Sequence, residues 1–377
     1  SWCDFNAGDL DAGLKKLHEV VDYASQRGEE LGDLRTEALN DLTVFYVQLD
    51  QPKEALAYFK QKAPAKRQGR LLAKTAAGLV DAGHFDSAIL VYRTLIDDSP
   101  MGANAPEYQQ AVVRAFEGLR QRQQVRKEMK RMVDLYRPGG EWWSANASNA
   151  GVLRNAFSVT EEAMRVMVTE YHQEAQKTRQ VETYRLARDI YKQYVDAFAS
   201  SDNPEFVADS AFNIRFFYAE ILWALEEWEA AAAEYDAVVA FKIPDRDSAK
   251  EVSNEAYRKS ASYNAVLAYD KLVKIERGQI ARSDLKDGQK VDEKKDKGDV
   301  ARQKLVKRDA KEQAEQPLTK FEDRLVAACD TYNNLFPGNQ DEIDLRYQAA
   351  VILYDRAHFV DAAHRFGEII EKFPEER

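Results

Sequence analysis

Between Leu72 and Pro100 the apolar residues fall on one helical face, stop, and resume on a second. Leu72, Ala76 and Leu79 form an i, i+4, i+7 stripe. Asp81-Ala82-Gly83 interrupts it, because glycine accepts the backbone angles of a tight helix exit. Phe85, Ala88, Tyr92 and Leu95 resume the stripe, and Pro100 ends it, since proline cannot continue a helix. The pattern predicts two antiparallel helices. Neither can bury its stripe alone, so such pairs must stack on further pairs.

The pattern recurs. Leu39, Leu42 and Tyr46, the turn Asp50-Gln51-Pro52, then Ala55 and Phe59 form a pair over Leu34–Lys62. Ala219 and Leu222, followed by Trp228, Ala231, Tyr235 and Val238, form another over Ala211–Pro244. Ala350 and Leu353, then Phe359, Ala362, Phe366 and Ile369, form the last over Ile343–Pro374. Glu107–Pro138 is a degenerate pair: Val112, Val113 and Phe116 lead to Val125, Met129 and Met132 through GLRQRQQ, which lacks turn residues.

Elsewhere the period slips. Pro138-Gly139-Gly140 stops a helix and Glu141–Gly151 reads as a loop. Helices are predicted over Val159–Lys177, Val181–Phe198 and Ser248–Ile275. Glu276–Gln316 is dense in Lys, Asp and Glu, too polar to order a core. It reads as a solvated insertion within one pair, partly helical from Val300, or as a partner-docking arm. Pro317–Pro337 is the delayed second helix, with Phe321, Leu325, Cys329 and Tyr332. At the start, Gly8, Leu10, Gly13, Leu17 and Val20 fit the turn and second helix of a pair whose first helix is reduced to Trp2–Phe5. That predicts a native protein beginning before Ser1. The expected organisation is therefore N-terminal repeats over 1–137, a loop over 138–160, degenerate then regular repeats over 161–275, the charged insertion over 276–316, and C-terminal repeats over 317–377.

Small Ala76 and Ala88 at the helix crossing, aromatic Phe85 and Tyr92, Gly83 at the turn and Pro100 at the end, repeated at roughly 34 residues, resemble the tetratricopeptide repeat. The resemblance implies an all-α, right-handed superhelical solenoid of about seven or eight helix hairpins. It also implies a concave groove, lined by the first helices, that binds a protein or peptide. First-helix positions expected to point away from the second helix are Asn40, Val44, Gln48, Lys74, Phe216, Glu220, Trp223, Tyr347 and Tyr354. Trp223 and Tyr354 stand out as aromatic anchors, or pack on a neighbouring repeat. Family members that clamp chaperone tails carry groove Asn and Lys, whereas here Asn40 is followed one turn later by Val44. The degenerate repeats and endings such as Asn334-Leu335-Phe336-Pro337 and Lys372-Phe373-Pro374 are similar in style to tetratricopeptide proteins of the bacterial cell envelope. Among those are proteins of outer-membrane assembly and of myxobacterial gliding motility.

Composition narrows the picture. Of 377 residues, 45% are hydrophobic and 31% charged, too apolar for global disorder. A net charge of −10 argues against nucleic acid as the main partner. Cys3 and Cys329 lie at opposite ends and make neither a metal cluster nor a disulfide framework. There is no apolar run of about 18 residues, so no transmembrane span is expected. The 5 histidines have no metal-ligand spacing, and no HExxH, GxSxG or phosphate loop occurs. No cofactor is implied. Trp142 and Trp143 either plug the gap where the period slips or form an exposed hot spot. The chain reads as a non-enzymatic scaffold or adaptor, periplasmic or envelope-associated, with a cytoplasmic location as the alternative. The competing readings are the solenoid part of a cell-wall enzyme and a peptide-sensing regulator.

Overall fold

The computed structural model describes residues 1–199, 204–241, 251–292, 297–298 and 314–376. Helices account for the architecture, and among the described residues no strand forms. The chain divides into two compact units, Ser1–Met167 and Val168–Arg377.

The first unit is built from α1 (Trp2–Asn6), α2 (Leu10–Gln26), α3 (Gly32–Gln48), α4 (Pro52–Lys62), α5 (Ala65–Asp81), α6 (Phe85–Asp98), α7 (Ala105–Gly118), α8 (Arg122–Tyr136), α9 (Glu141–Ala145) and the start of α10 (Ala150–Thr178). Helices pack on their neighbours in chain order: α2 on α3, α5 on α6, α6 on α7, α7 on α8. The second unit carries the rest of α10, then α11 (Val181–Phe198), α12 (Ala211–Ala224), α13 (Trp228–Ala240), α14 (Glu251–Glu276), α15 (Lys320–Leu335), α16 (Glu342–Asp355) and α17 (Phe359–Lys372). From α11 to α17 each helix again packs on the next. This is the α-solenoid of stacked hairpins that the periodicity predicts. No described helix is long and apolar enough to cross a membrane.

One turn joins the two helices of pair after pair. The N–H groups of Gln51, His84, Gln121, Glu227 and His358 donate to the carbonyls of Tyr46, Leu79, Phe116, Leu222 and Leu353. The preceding residue is left-handed each time: Asp50 (φ 50°), Gly83 (82°), Arg120 (58°), Glu226 (58°) and Ala357 (64°). The bond caps the otherwise orphaned carbonyls of the first helix. One helical turn beyond it, Ala55, Ala88, Ala231 and Ala362 are buried where the helices cross, while Val125 of the degenerate pair is half-buried. Gly13 fills the corresponding place in α2, where a Cβ would come 2.5 Å from the Phe45 ring.

Two expectations are corrected and a choice between two readings is decided. The segment 138–160 is not a loop: α9 lies within it, and α10 begins at Ala150 because the Asn149 side chain accepts the Val152 N–H and caps the helix. Second, of the two readings of Trp142 the plug is the one found, since Trp142 is buried. Its indole N–H donates to the Gly102 carbonyl at 2.9 Å and its ring meets Tyr136 edge-on, so it plugs α9 onto the α6–α7 connection. Trp143 beside it is half-buried and partnered.

The third concerns the charged insertion, whose described parts are pinned to the repeats. The Val291 N–H donates to the Arg179 carbonyl at 2.8 Å, the Val181 N–H donates to the Gln289 carbonyl at 3.0 Å, and Val291 is buried. Arg185 reaches the Leu285 carbonyl at 2.6 Å. At the far end the Gln316 N–H donates to the Arg356 carbonyl, and His358 bonds the Gln316 carbonyl. Backbone pairing, which needs no apolar side chains, holds these described parts. The helix expected from Val300, and the repeat ends expected at Pro244 and Ser248, lie outside the described residues. The delayed second helix begins at Lys320 through a capping box between Thr319 and Glu322.

Candidate functional site

Helix α12 is apolar nearly all round, because it must face α11, α13 and α14. One stripe of it carries Phe216, Glu220 and Trp223. Phe216 is buried against Tyr257, with ring centroids 4.8 Å apart, and Trp223 meets Trp228 of α13 edge-on at 4.8 Å. Both still line an open cleft of about 440 Å³, together with His172, Tyr184, Phe217, Ile221 and Lys297. A second cleft of about 740 Å³ shares Phe216, Glu220 and Lys297 and continues past Tyr263, Asn264 and Tyr332 to Gly338–Asp341.

Glu220 stands where the two clefts meet. Its Oε1 accepts from the Tyr235 hydroxyl at 2.7 Å, from Asn264 Nδ2 at 3.0 Å and from Lys297 Nζ at 2.7 Å. Tyr235 is fully buried, and that burial, with the Glu220 charge beside it, pushes its phenol well above the ordinary tyrosine value. Burial pulls the Lys297 ammonium below the usual lysine value, against the opposing pull of Glu220. The ammonium lies 4.9 Å from the Trp223 ring centroid and 5.4 Å from that of Tyr235, within cation–π range. On the wall of the first cleft, His172 Nδ1 bonds the Tyr191 hydroxyl at 2.7 Å, and burial holds the imidazole below its usual value.

The other expected groove residues lie elsewhere. On α3, Asn40 and Val44 are half-buried and Gln48 is exposed; on α5, Lys74 is exposed, with Nζ 3.4 Å from the Asn40 carbonyl. Tyr347 packs on Phe366 and Tyr354 on Phe359, both of α17. These two tyrosines, like Trp223, thus touch the second helix of their own pair rather than pointing away from it. For Trp223 and Tyr354 the reason is the tight turn, which lays the end of the first helix against the first residue of the next. Sequence reasoning missed Tyr235, Asn264 and Lys297. Tyr235 reads as ordinary core, and Lys297 is one lysine in a lysine-rich run. The available signal was Glu220 beside Trp223 on an apolar helix, a carboxylate in need of a counter-charge.

Cys329 is buried and its thiol is pushed up by that burial, away from reactivity. Among the described residues no group of three His, Cys, Asp or Glu could hold a metal ion.

No protein-family model matches the chain, and no curated protein matches it. A solved tetratricopeptide repeat protein from Parabacteroides merdae is similar to it. The match has 15% identity and a TM-score of 0.22, and covers 69% of this chain and 95% of that one. The fold assignment rests on the stacked hairpins and their repeated turn, which are properties of this chain itself.

Proposed function

We propose that the chain is a non-enzymatic interaction scaffold and that the joined clefts on α12 and α14 hold an extended segment of a partner protein. The observation that carries the reading is a pair of open clefts that share Phe216, Glu220 and Lys297, the first with aromatic walls at Phe216, Phe217 and Trp223, the second lined largely by polar side chains such as Lys259, Asn264 and Asn339. Aromatic walls supply binding energy and polar groups fix register, the usual composition of a peptide-binding groove. Asn40, Val44, Gln48 and Lys74 on the first unit are a candidate secondary surface, with Trp143 beside it in rank; Tyr347 and Tyr354 are candidates only at their exposed edges.

The test is affinity capture by the full chain from envelope and soluble fractions of the source cells, beside Trp223→Ala/Phe217→Ala checked for unchanged circular dichroism. A reproducible partner set lost in the variant is expected. Partners retained by the folded variant would move the site off these clefts. The narrower reading, an adaptor of bacterial envelope assembly or motility, is supported by resemblance of sequence style and predicts that the partners come from the envelope fraction. Capture only from the soluble fraction would replace it with the cytoplasmic reading.

A further inference from the structure

The groove holds a ligand of its own making. Lys297 arrives from the insertion, 77 residues along the chain from Glu220 and 62 from Tyr235. The cage that receives it is built from α12, α13 and α14 and does not need Lys297 for its shape. The Tyr235 hydroxyl and the Asn264 amide already aim Glu220 Oε1, and Trp223 is set by its contact with Trp228. A carboxylate between two aromatic faces suits an alkylammonium. It offers one strong acceptor and two π-faces, which the compact ammonium head of a lysine meets together. Lys297 fits it: Nζ lies 2.7 Å from Glu220 and 3.1 Å from the Tyr235 hydroxyl, while the side chain keeps 25% exposure. Next to it Gly298 takes a left-handed φ of 75°, a conformation open to glycine.

We propose that this cage is a binding site for a lysine side chain of a partner segment, and that Lys297 is its tethered internal ligand, displaced when the partner binds. The inference rests on reading the clefts as the partner groove and adds the chemistry that the partner must present there. Clefts on both sides of Glu220 give the partner's flanking residues room, so its lysine competes with Lys297 through contacts made on either side. A tethered competitor lowers apparent affinity by the fraction of time it leaves the cage open. Removing it therefore exposes the site.

The probe is a fluorescent synthetic peptide copying Asp292–Asp299, DEKKDKGD, read by anisotropy against the full chain. Lys297→Met is expected to bind it at least about tenfold more tightly than wild type, as expected if the tether fills the cage most of the time. Acetylation of the peptide lysine before glycine, or Glu220→Gln in the Lys297→Met background, is expected to abolish the gain. Lys297→Arg supplies a second background that keeps a positive charge should Lys297→Met fold poorly. Equal binding by wild type and both variants, or equal binding of the acetylated peptide, would overturn the proposal and leave Lys297–Glu220 as a fixed tie of the insertion. Displacement by free lysine amide as effective as by the peptide would reassign the cage to a small amine. The groove reading fails separately. Partners lost in Trp223→Ala/Phe217→Ala but kept in Glu220→Gln would preserve the groove and remove the lysine, whereas probe binding without captured partners would do the reverse.

Discussion

The hairpins α5–α6 and α12–α13 close with the same hydrogen bond, from His84 to Leu79 in one and from Glu227 to Leu222 in the other. That shared bond sets them in register. Ala88 then aligns with Ala231, both fully buried, and Tyr92 aligns with Tyr235. On the first helix, Ala73, Ala77 and Val80 align with Phe216, Glu220 and Trp223. The frame is constant and the stripe differs. In α5 the stripe is small and flat, and Ala77 is simply exposed. In α12 it is large and aromatic, and the residue replacing Ala77 accepts bonds from three other segments. Tyr92 packs on Tyr108 at 5.7 Å, whereas the Tyr235 hydroxyl is drawn into the groove by Glu220. A repeat becomes a site when the side chains of one stripe change on an unchanged backbone.

The comparison can be pressed at its common part first. Ala88→Leu and Ala231→Leu should each cost on the order of 1–3 kcal/mol by overpacking the crossing, seen as lower urea midpoints. A wild-type midpoint in either would break the register. Next comes the aligned tyrosine pair. Tyr235→Phe should cost about 1–2 kcal/mol, since it removes a donor from a partly buried carboxylate, while Tyr92→Phe should cost under about 0.5 kcal/mol. Equal costs would mean that the polar focus at Glu220 contributes nothing to α12–α13.

The turn gives a smaller effect of opposite sign in the two hairpins. Gly83→Ala should destabilise by about 1 kcal/mol, and Glu226→Gly should stabilise by up to about 1 kcal/mol, because only one of these residues is free to be left-handed without strain.

Acid sharpens the contrast at the next hairpin. Glu322 is buried, and burial alone would raise its carboxyl. The Arg356 and Arg277 guanidinium groups outweigh that and hold it below the ordinary glutamate value. A depressed carboxyl gives stability that is complete above the unfolded value and lost as pH falls through the folded one. Wild type should therefore lose more stability than Glu322→Gln between about pH 5 and pH 3, measured by urea titration at each pH. Parallel slopes would show that the pair contributes no pH-dependent stability. Lys286→Leu, on an exposed stretch of the insertion, should change the midpoint least of all, within about 0.5 kcal/mol.

Much of this was legible in the sequence because helix burial leaves a period. Val181–Phe198 is found at its expected bounds, and the small residues Ala55, Ala88, Ala231 and Ala362 mark the crossings. Turns were legible where glycine marked them, as at Gly83, and hidden at Arg120, where a residue with no turn preference takes a left-handed φ because the packed helices on both sides require it. Helix α9 was hidden because the Trp142 indole, bonded across to Gly102, fixes it from outside its own sequence. Phe216, Glu220 and Trp223 could be named from register within one helix. Tyr235, Asn264 and Lys297 could not, since each meets them from another segment, and no local pattern encodes such a meeting.

The insertion also changes how the second unit comes apart. A stack of hairpins that touch only their neighbours frays from its ends, each pair adding its own small share of cooperativity. Here backbone bonds tie the insertion to the α10–α11 turn at Arg179 and Val181, and to the α16–α17 turn at Arg356. The described start of the insertion thus reaches back past α12 and α13 to the first turn of the unit, while its described end meets the last turn. The α10–α11 turn gives up bonds to a remote part of the chain when it loosens. The pairs from α11 to α14 should therefore melt together rather than one by one. They should also refold more slowly than their local contacts alone would set, because the tie closes only after a long stretch of chain has been brought round.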